Sequence, residues 1–129
     1  MHTETRINMK RDFIIDSFEP KCPIRNVLSR IGDKWSVLII FTLKNHGTMR
    51  FNELKKSIGD ISQKMLSTTL KMLEEDGFVS RTVYAEVPPR VEYDLTPRAL
   101  SLWPHLENLI NWAYDHMAEI IKDRMAQAS

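Results

Sequence analysis

The chain has 129 residues, room for one domain with a modest core. Its 43% hydrophobic and 27% charged residues exclude global disorder, and a net charge of +1 lends nucleic-acid binding no support from the total. One cysteine excludes an intrachain disulfide, and the longest apolar run near the middle, residues 37–41, is far too short to span a bilayer. The opening MHTETRINMKRDF lacks the apolar stretch of a signal peptide, so a cytoplasmic protein in a reducing compartment is expected, with no membrane partner.

Residues 1–21 read as an arm or short helix, polar apart from Phe13, Ile14, Ile15 and Phe18, which suit contact with a partner. Pro23 suits the first position of a helix, where its missing N–H costs nothing. That helix carries Ile24, Val27, Leu28 and Ile31 at the spacing of one buried face. Asp33 stands ready to cap a second helix over 34–47, apolar on most sides and ended by Gly47; it is expected to be the most buried element. Residues 48–50 suit a short strand pairing with the hairpin further on.

FNELKKSIG (51–59) reads as a third helix and SQKMLSTTLKMLEEDG (62–77) as a fourth. In the fourth, Leu66, Leu70 and Leu73 share a core face, while Gln63, Lys64, Ser67, Thr68 and Lys71 fall on another. Ser62 is the natural N-cap, with an Asp60–Gln63 capping box as the alternative, and Gly77 suits a left-handed C-cap. FVSRTVY (78–84), the turn AEVPP (85–89) and RVEYDL (90–95) make a β-hairpin.

Thr96-Pro97 starts a last helix that runs to about residue 125, with a bend expected near Pro104. Ala99, Trp103, Leu106, Ile110, Ala113, Met117 and Ile120 recur at alternating spacings of 4 and 3, a heptad seam. At ~1.5 Å per residue this helix is roughly 40 Å long. Leu102, Leu109 and Trp112 lie off the seam, so apolar partners are needed on more than one side. A homodimer supplies them.

Two helices, a short turn and a hairpin, in that order, outline a winged helix-turn-helix DNA reader. The fold expected is mainly α with a small β-hairpin wing (α+β), dimeric through its terminal helices. Its parts are the arm 1–21, a DNA-binding core 22–95 and a dimerisation helix 96–129. Local charge agrees. Between 50 and 71, five bases (Arg50, Lys55, Lys56, Lys64, Lys71) meet two acids (Glu53, Asp60), a balance of +3. Glu74, Glu75 and Asp76 gather at the far end of the fourth helix.

The amides, hydroxyls and ammonium groups of that helix suit a major groove. Gln63, Ser67 and Thr68 can donate to and accept from base edges; Lys64 and Lys71 can neutralise phosphate or reach guanine. Residues near the helix N-terminus, Ser62 among them, enter deepest. Arg81 and Arg90, on opposite strands of the wing, suit the backbone or the minor groove, although pairing of one of them with Glu86 or Glu92 is a close alternative. Arg50 precedes the third helix and is placed either for phosphate or for solvent. A helix face like this one is often merely solvated, and only its union with the hairpin makes the DNA reading the leading one. The competing reading is a winged-helix protein-interaction module, which the low net charge favours.

Cys22 precedes Pro23 at a helix N-terminus, between Lys21 and Arg25. The helix dipole and both cations favour thiolate, which makes Cys22 a candidate sensor of oxidants or electrophiles; a semi-buried structural thiol is the alternative. His105 and His116 share a helix face but would stand about 16 Å apart at 1.5 Å per residue, too far for one metal. The tryptophans sit at core spacing. No Gly-rich phosphate loop, nucleophile–base arrangement or metal-ligand cluster is visible, so neither cofactor, metal nor catalysis is expected.

The segments CPIRNVLSRIGDKW, MRFNELKKSIGDISQKMLSTTLKMLEEDGFVSR and PPRVEYDLTPRALSL, followed by Trp112, resemble the HxlR family of bacterial winged-helix regulators over roughly residues 22 to 113. The resemblance implies a homodimer joined by the N-terminal segment and the last helix, with Phe13, Phe18, Trp103, Leu106, Ile110, Ala113, Met117 and Ile120 as contact candidates. It implies that the helix from Ser62 enters the major groove, that 78–95 is the wing, and that operators are double-stranded DNA with two-fold symmetry and half-sites about one turn apart. In some members a cysteine matching Cys22 senses quinones, aldehydes or oxidants. The chain departs from the family where Asp33 and Ala99 replace common glycines. The second cysteine used by disulfide-sensing members is also missing.

Overall fold

The computed structural model describes residues 23–128. Among them the order is α1 (Pro23–Ile31), α2 (Lys34–His46), β1 (Met49–Arg50), α3 (Phe51–Ile58), α4 (Gln63–Glu75), β2 (Val79–Tyr84), β3 (Arg90–Leu95) and α5 (Pro97–Ala128). The elements expected from residue 23 onward all appear, mainly helical with one small antiparallel sheet ordered β1-β3-β2, while the arm or short helix expected over 1–21 lies outside the described residues. Cys22 and the contact candidates Phe13 and Phe18 lie outside the described residues. No described helix is long and apolar enough to cross a membrane.

Helix α2 forms the centre, as its all-round apolarity predicts. Ile39, Ile40 and Leu43 are buried on it, and Leu54, Ile61, Leu66, Leu70, Leu73 and Val79 close around them. Its start is sharpened by Asp33, whose carboxylate accepts the Ser36 N–H at 3.3 Å, so the departure from glycine there supplies a cap. Its end turns at Gly47, where φ is +80°.

Strand β1 pairs with the wing as expected, Met49 opposite Tyr93 and Arg50 opposite Glu92. Strands β2 and β3 pair from Val79↔Leu95 to Tyr84↔Arg90, leaving 85–89 as the turn. Thr96 ties the sheet to α5: its hydroxyl donates to the Gly77 carbonyl at 2.6 Å and accepts the Ala99 N–H at 3.3 Å.

Two packing expectations need correction. Of the face read on α1 as buried, only Ile31 is; Ile24, Val27 and Leu28 stay exposed, because the described chain lays no second layer over α1. On α5, the seam splits. Ala99 and Leu106 are buried within the protomer, and Trp103 packs on Phe41 with ring centroids 5.9 Å apart. Leu106 therefore has almost no surface left for a dimer contact. The reason is that the first turns of α5 lie on the protomer's own core. Beyond them Ile110 and Ala113 are half-buried, and Met117, Ile120, Ile121 and Met125 are exposed. Helix α5 continues through Pro104 without interruption.

Candidate nucleic-acid interface

Helix α4 is held at both ends by its own sequence. At the start the Ser62 hydroxyl accepts the Met65 N–H at 3.0 Å, so Ser62, and not the Asp60–Gln63 box, is the cap. At the end, Phe78 N–H reaches the Leu73 carbonyl at 2.8 Å and Gly77 N–H reaches that of Glu74 at 3.0 Å. This is a Schellman closure, with Gly77 at φ +80°. Leu66, Thr69, Leu70 and Leu73 face inward. Gln63, Lys64, Ser67, Thr68 and Lys71 are all exposed, as predicted from their spacing. Ser62 is exposed too, but its lone pair is engaged by the cap, leaving the O–H free to donate.

The wing carries the face sideways. Ser67 and Lys71 of α4 meet Arg81 and Tyr93 of the sheet in one open groove of about 310 Å³, with Glu74 at its edge. Arg81 has no ion-pair partner among the described residues and stands exposed. A helix and a strand thus present hydroxyl, ammonium and guanidinium groups to one space.

Arg90 is different, and here the alternative left open by the sequence holds. Its Nη1 lies 3.1 Å from Glu86 Oε2, its Nε 3.3 Å from Glu92 Oε2, and its guanidinium stacks 4.1 Å from the centre of the Tyr84 ring. Two carboxylates outweigh one cation, so Arg90 braces the wing and offers little net positive charge. It shares a second groove with Arg50, Asn52 and Glu53 at the start of α3. Arg50 is exposed, and its backbone N–H donates to Glu53 Oε1 at 2.7 Å.

Two exposed residues escaped the sequence reading. Asn52 follows Arg50 in the second groove. Met65 is 42% exposed beside Lys64, an apolar side chain off the core face of α4. Its signal was its position, one residue short of Leu66 in a helix whose buried stripe begins there. Among the described residues no three His, Cys, Asp or Glu side chains gather as a metal site.

A family model described as HxlR-like helix-turn-helix matches residues 30–121. The uncharacterized HTH-type transcriptional regulator YtfH of Escherichia coli (strain K12) is 39% identical over 112 residues, covering 87% of this chain and 88% of that one. Among solved structures, the putative transcriptional regulator ytfH from Salmonella typhimurium superposes with a TM-score of 0.73 at 38% identity, over 84% of this chain and 96% of that one. The redox regulator HypR in its reduced form gives 0.73 at 35% identity, over 78% and 98%.

Proposed function

This chain belongs to the HxlR-like helix-turn-helix family and is a transcriptional regulator, and from that premise we propose that it acts as a homodimer on a two-fold symmetric operator. Each protomer lays α4 in a major groove and its wing along the flanking backbone. Gln63, Ser67 and Thr68 read base edges, while Lys64, Lys71 and Arg81 neutralise phosphates. The observation that carries this reading is the joint face of α4 and β2, where Ser67, Lys71 and Arg81 open onto one groove with the core behind them. The exposed Ile24, Val27, Leu28, Leu109, Trp112, Met117 and Ile120 favour a second copy as the cover for α1 and α5. Such a regulator works by binding, and no catalytic step is part of this reading.

The test is fluorescence anisotropy of the reduced protein with DNA from upstream of its own and adjacent genes, at two salt concentrations. Saturable binding that weakens steeply with salt is expected, because neutralised phosphates release counterions. Binding no better than to random DNA, together with a tight protein partner, would put the interaction-module reading ahead.

For the effector we propose an electrophile or oxidant acting at Cys22. The likeness to a redox regulator and the cations on either side of Cys22 in sequence favour it. With one cysteine in the chain, an electrophile adds directly to the sulfur. A two-electron oxidant instead joins Cys22 to a small thiol, or to Cys22 of a second protomer, with loss of two protons. Blocking Cys22 before the anisotropy titration should abolish binding; unchanged binding would point to a different effector.

A further inference from the structure

Helix α4 closes on Glu74, Glu75 and Asp76, acids set at the negative end of its own dipole. No residue that follows them in sequence offsets that charge before Arg81. Two arginines from distant elements do. Arg30, at the end of α1, donates from Nη1 to Asp76 Oδ1 at 2.7 Å. Arg98, in the first turn of α5, donates from Nη1 to the Asp76 backbone carbonyl, also at 2.7 Å. The neighbouring Gly77 leaves the space: a Cβ there would stand 2.5 Å from Arg98 Nη1. One residue at the end of the reading helix is thus tied by its side chain to α1 and by its backbone to α5. Those two helices also carry the exposed apolar side chains Val27, Leu28, Trp112 and Ile120.

We propose that Arg30, Asp76 and Arg98 are positioning residues that set the angle of α4 against α1 and α5, and so the separation of the two reading helices in the dimer. The proposal rests on the dimeric DNA reading above. None of the three touches DNA in that docking. They act through α4, and what they control is tolerance to half-site spacing. The Arg30–Asp76 pair adds little to global stability, because Arg30 is 52% exposed and screened by water. Its loss should therefore leave the fold intact.

The test uses a duplex enriched from a random pool by the wild-type protein, a version with one base pair inserted at its centre, and a single half-site. The inserted pair moves one half-site by about 3.4 Å along the axis. Wild type should favour the original spacing. R30A and R30A/R98A should lose roughly 2- to 30-fold in affinity for that spacing, the range for substitutions along a physical link between sites. Their penalty for the inserted pair should shrink, and their affinity for the single half-site should stay at the wild-type value. R30K should restore the spacing preference. If the double variant fails to fold, R30A alone is read the same way. An equal loss on the single half-site would reduce the clamp to a purely structural role, and an unchanged spacing preference would overturn it. Wild type binding two half-sites no better than one would remove the dimeric reading, and the clamp with it.

Discussion

Ser62 stands where a helix cap and the proposed DNA face overlap, and its substitutions separate the two. Its hydroxyl satisfies the Met65 N–H at 3.0 Å, one of the first-turn donors that α4 cannot pair internally. Ser62→Ala removes that acceptor at a cost of about 1 kcal/mol. For a chain of this length, that should lower Tm by about 4 °C, compared at matched protein concentration. The turn that frays holds Gln63 and Lys64, and binding must re-order it. DNA affinity should fall by up to about fivefold, the same free energy expressed as an equilibrium constant. Ser62→Asp keeps an acceptor at the cap and favours the helix dipole, so its Tm should match or exceed wild type. The same carboxylate would face phosphate, so its affinity should fall below that of the alanine variant, most at low salt. Melting curves and anisotropy titrations on the three proteins decide the matter. If the aspartate variant binds as tightly as wild type, the N-terminus of α4 does not approach the DNA backbone and the docking is wrong. If the alanine variant melts with wild type, the cap contributes nothing.

Arg81→Ala should weaken all DNA sequences alike and reduce the salt slope by about one, whereas Arg90→Ala, already held between Glu86 and Glu92, should leave the slope unchanged. Equal slopes for the two variants would refute the distinction drawn between the wing arginines. Leu70→Ala, at a site 2% exposed, should cost about 2–5 kcal/mol in urea unfolding; a loss below 1 kcal/mol would mean that α4 is not seated as described. Met117→Asp places a charge on the exposed part of α5 and should shift the protein towards monomer in sedimentation, with two-half-site DNA binding lost. A variant that stays dimeric would place the interface elsewhere.

What could be read along the chain is what short-range physics decides. Asp33, Ser62, Thr96, Gly47 and Gly77 mark helix ends because each acts on backbone groups within a few residues of itself. The turn 85–89 follows from its breakers in the same way. Periodicity also told which residues of α4 face out. It could not tell what lies opposite a face. Leu106 and Ile120 obey one heptad pattern, yet one is sealed inside the protomer and the other is open, because only the first turns of α5 meet the core. Arg81 and Arg90 are alike as residues in paired strands, but the fold of the turn and of its own strand brings two carboxylates, Glu86 and Glu92, onto Arg90, and none of the described residues pairs with Arg81. The Asp76 clamp joins positions 46 and 22 residues apart, and no local pattern encodes such a meeting. Caps, turns and amphipathic faces belong to the sequence because their energies are settled between near neighbours; a meeting such as that of Arg30 with Asp76, and the cover of each apolar face, are settled only when distant segments pack.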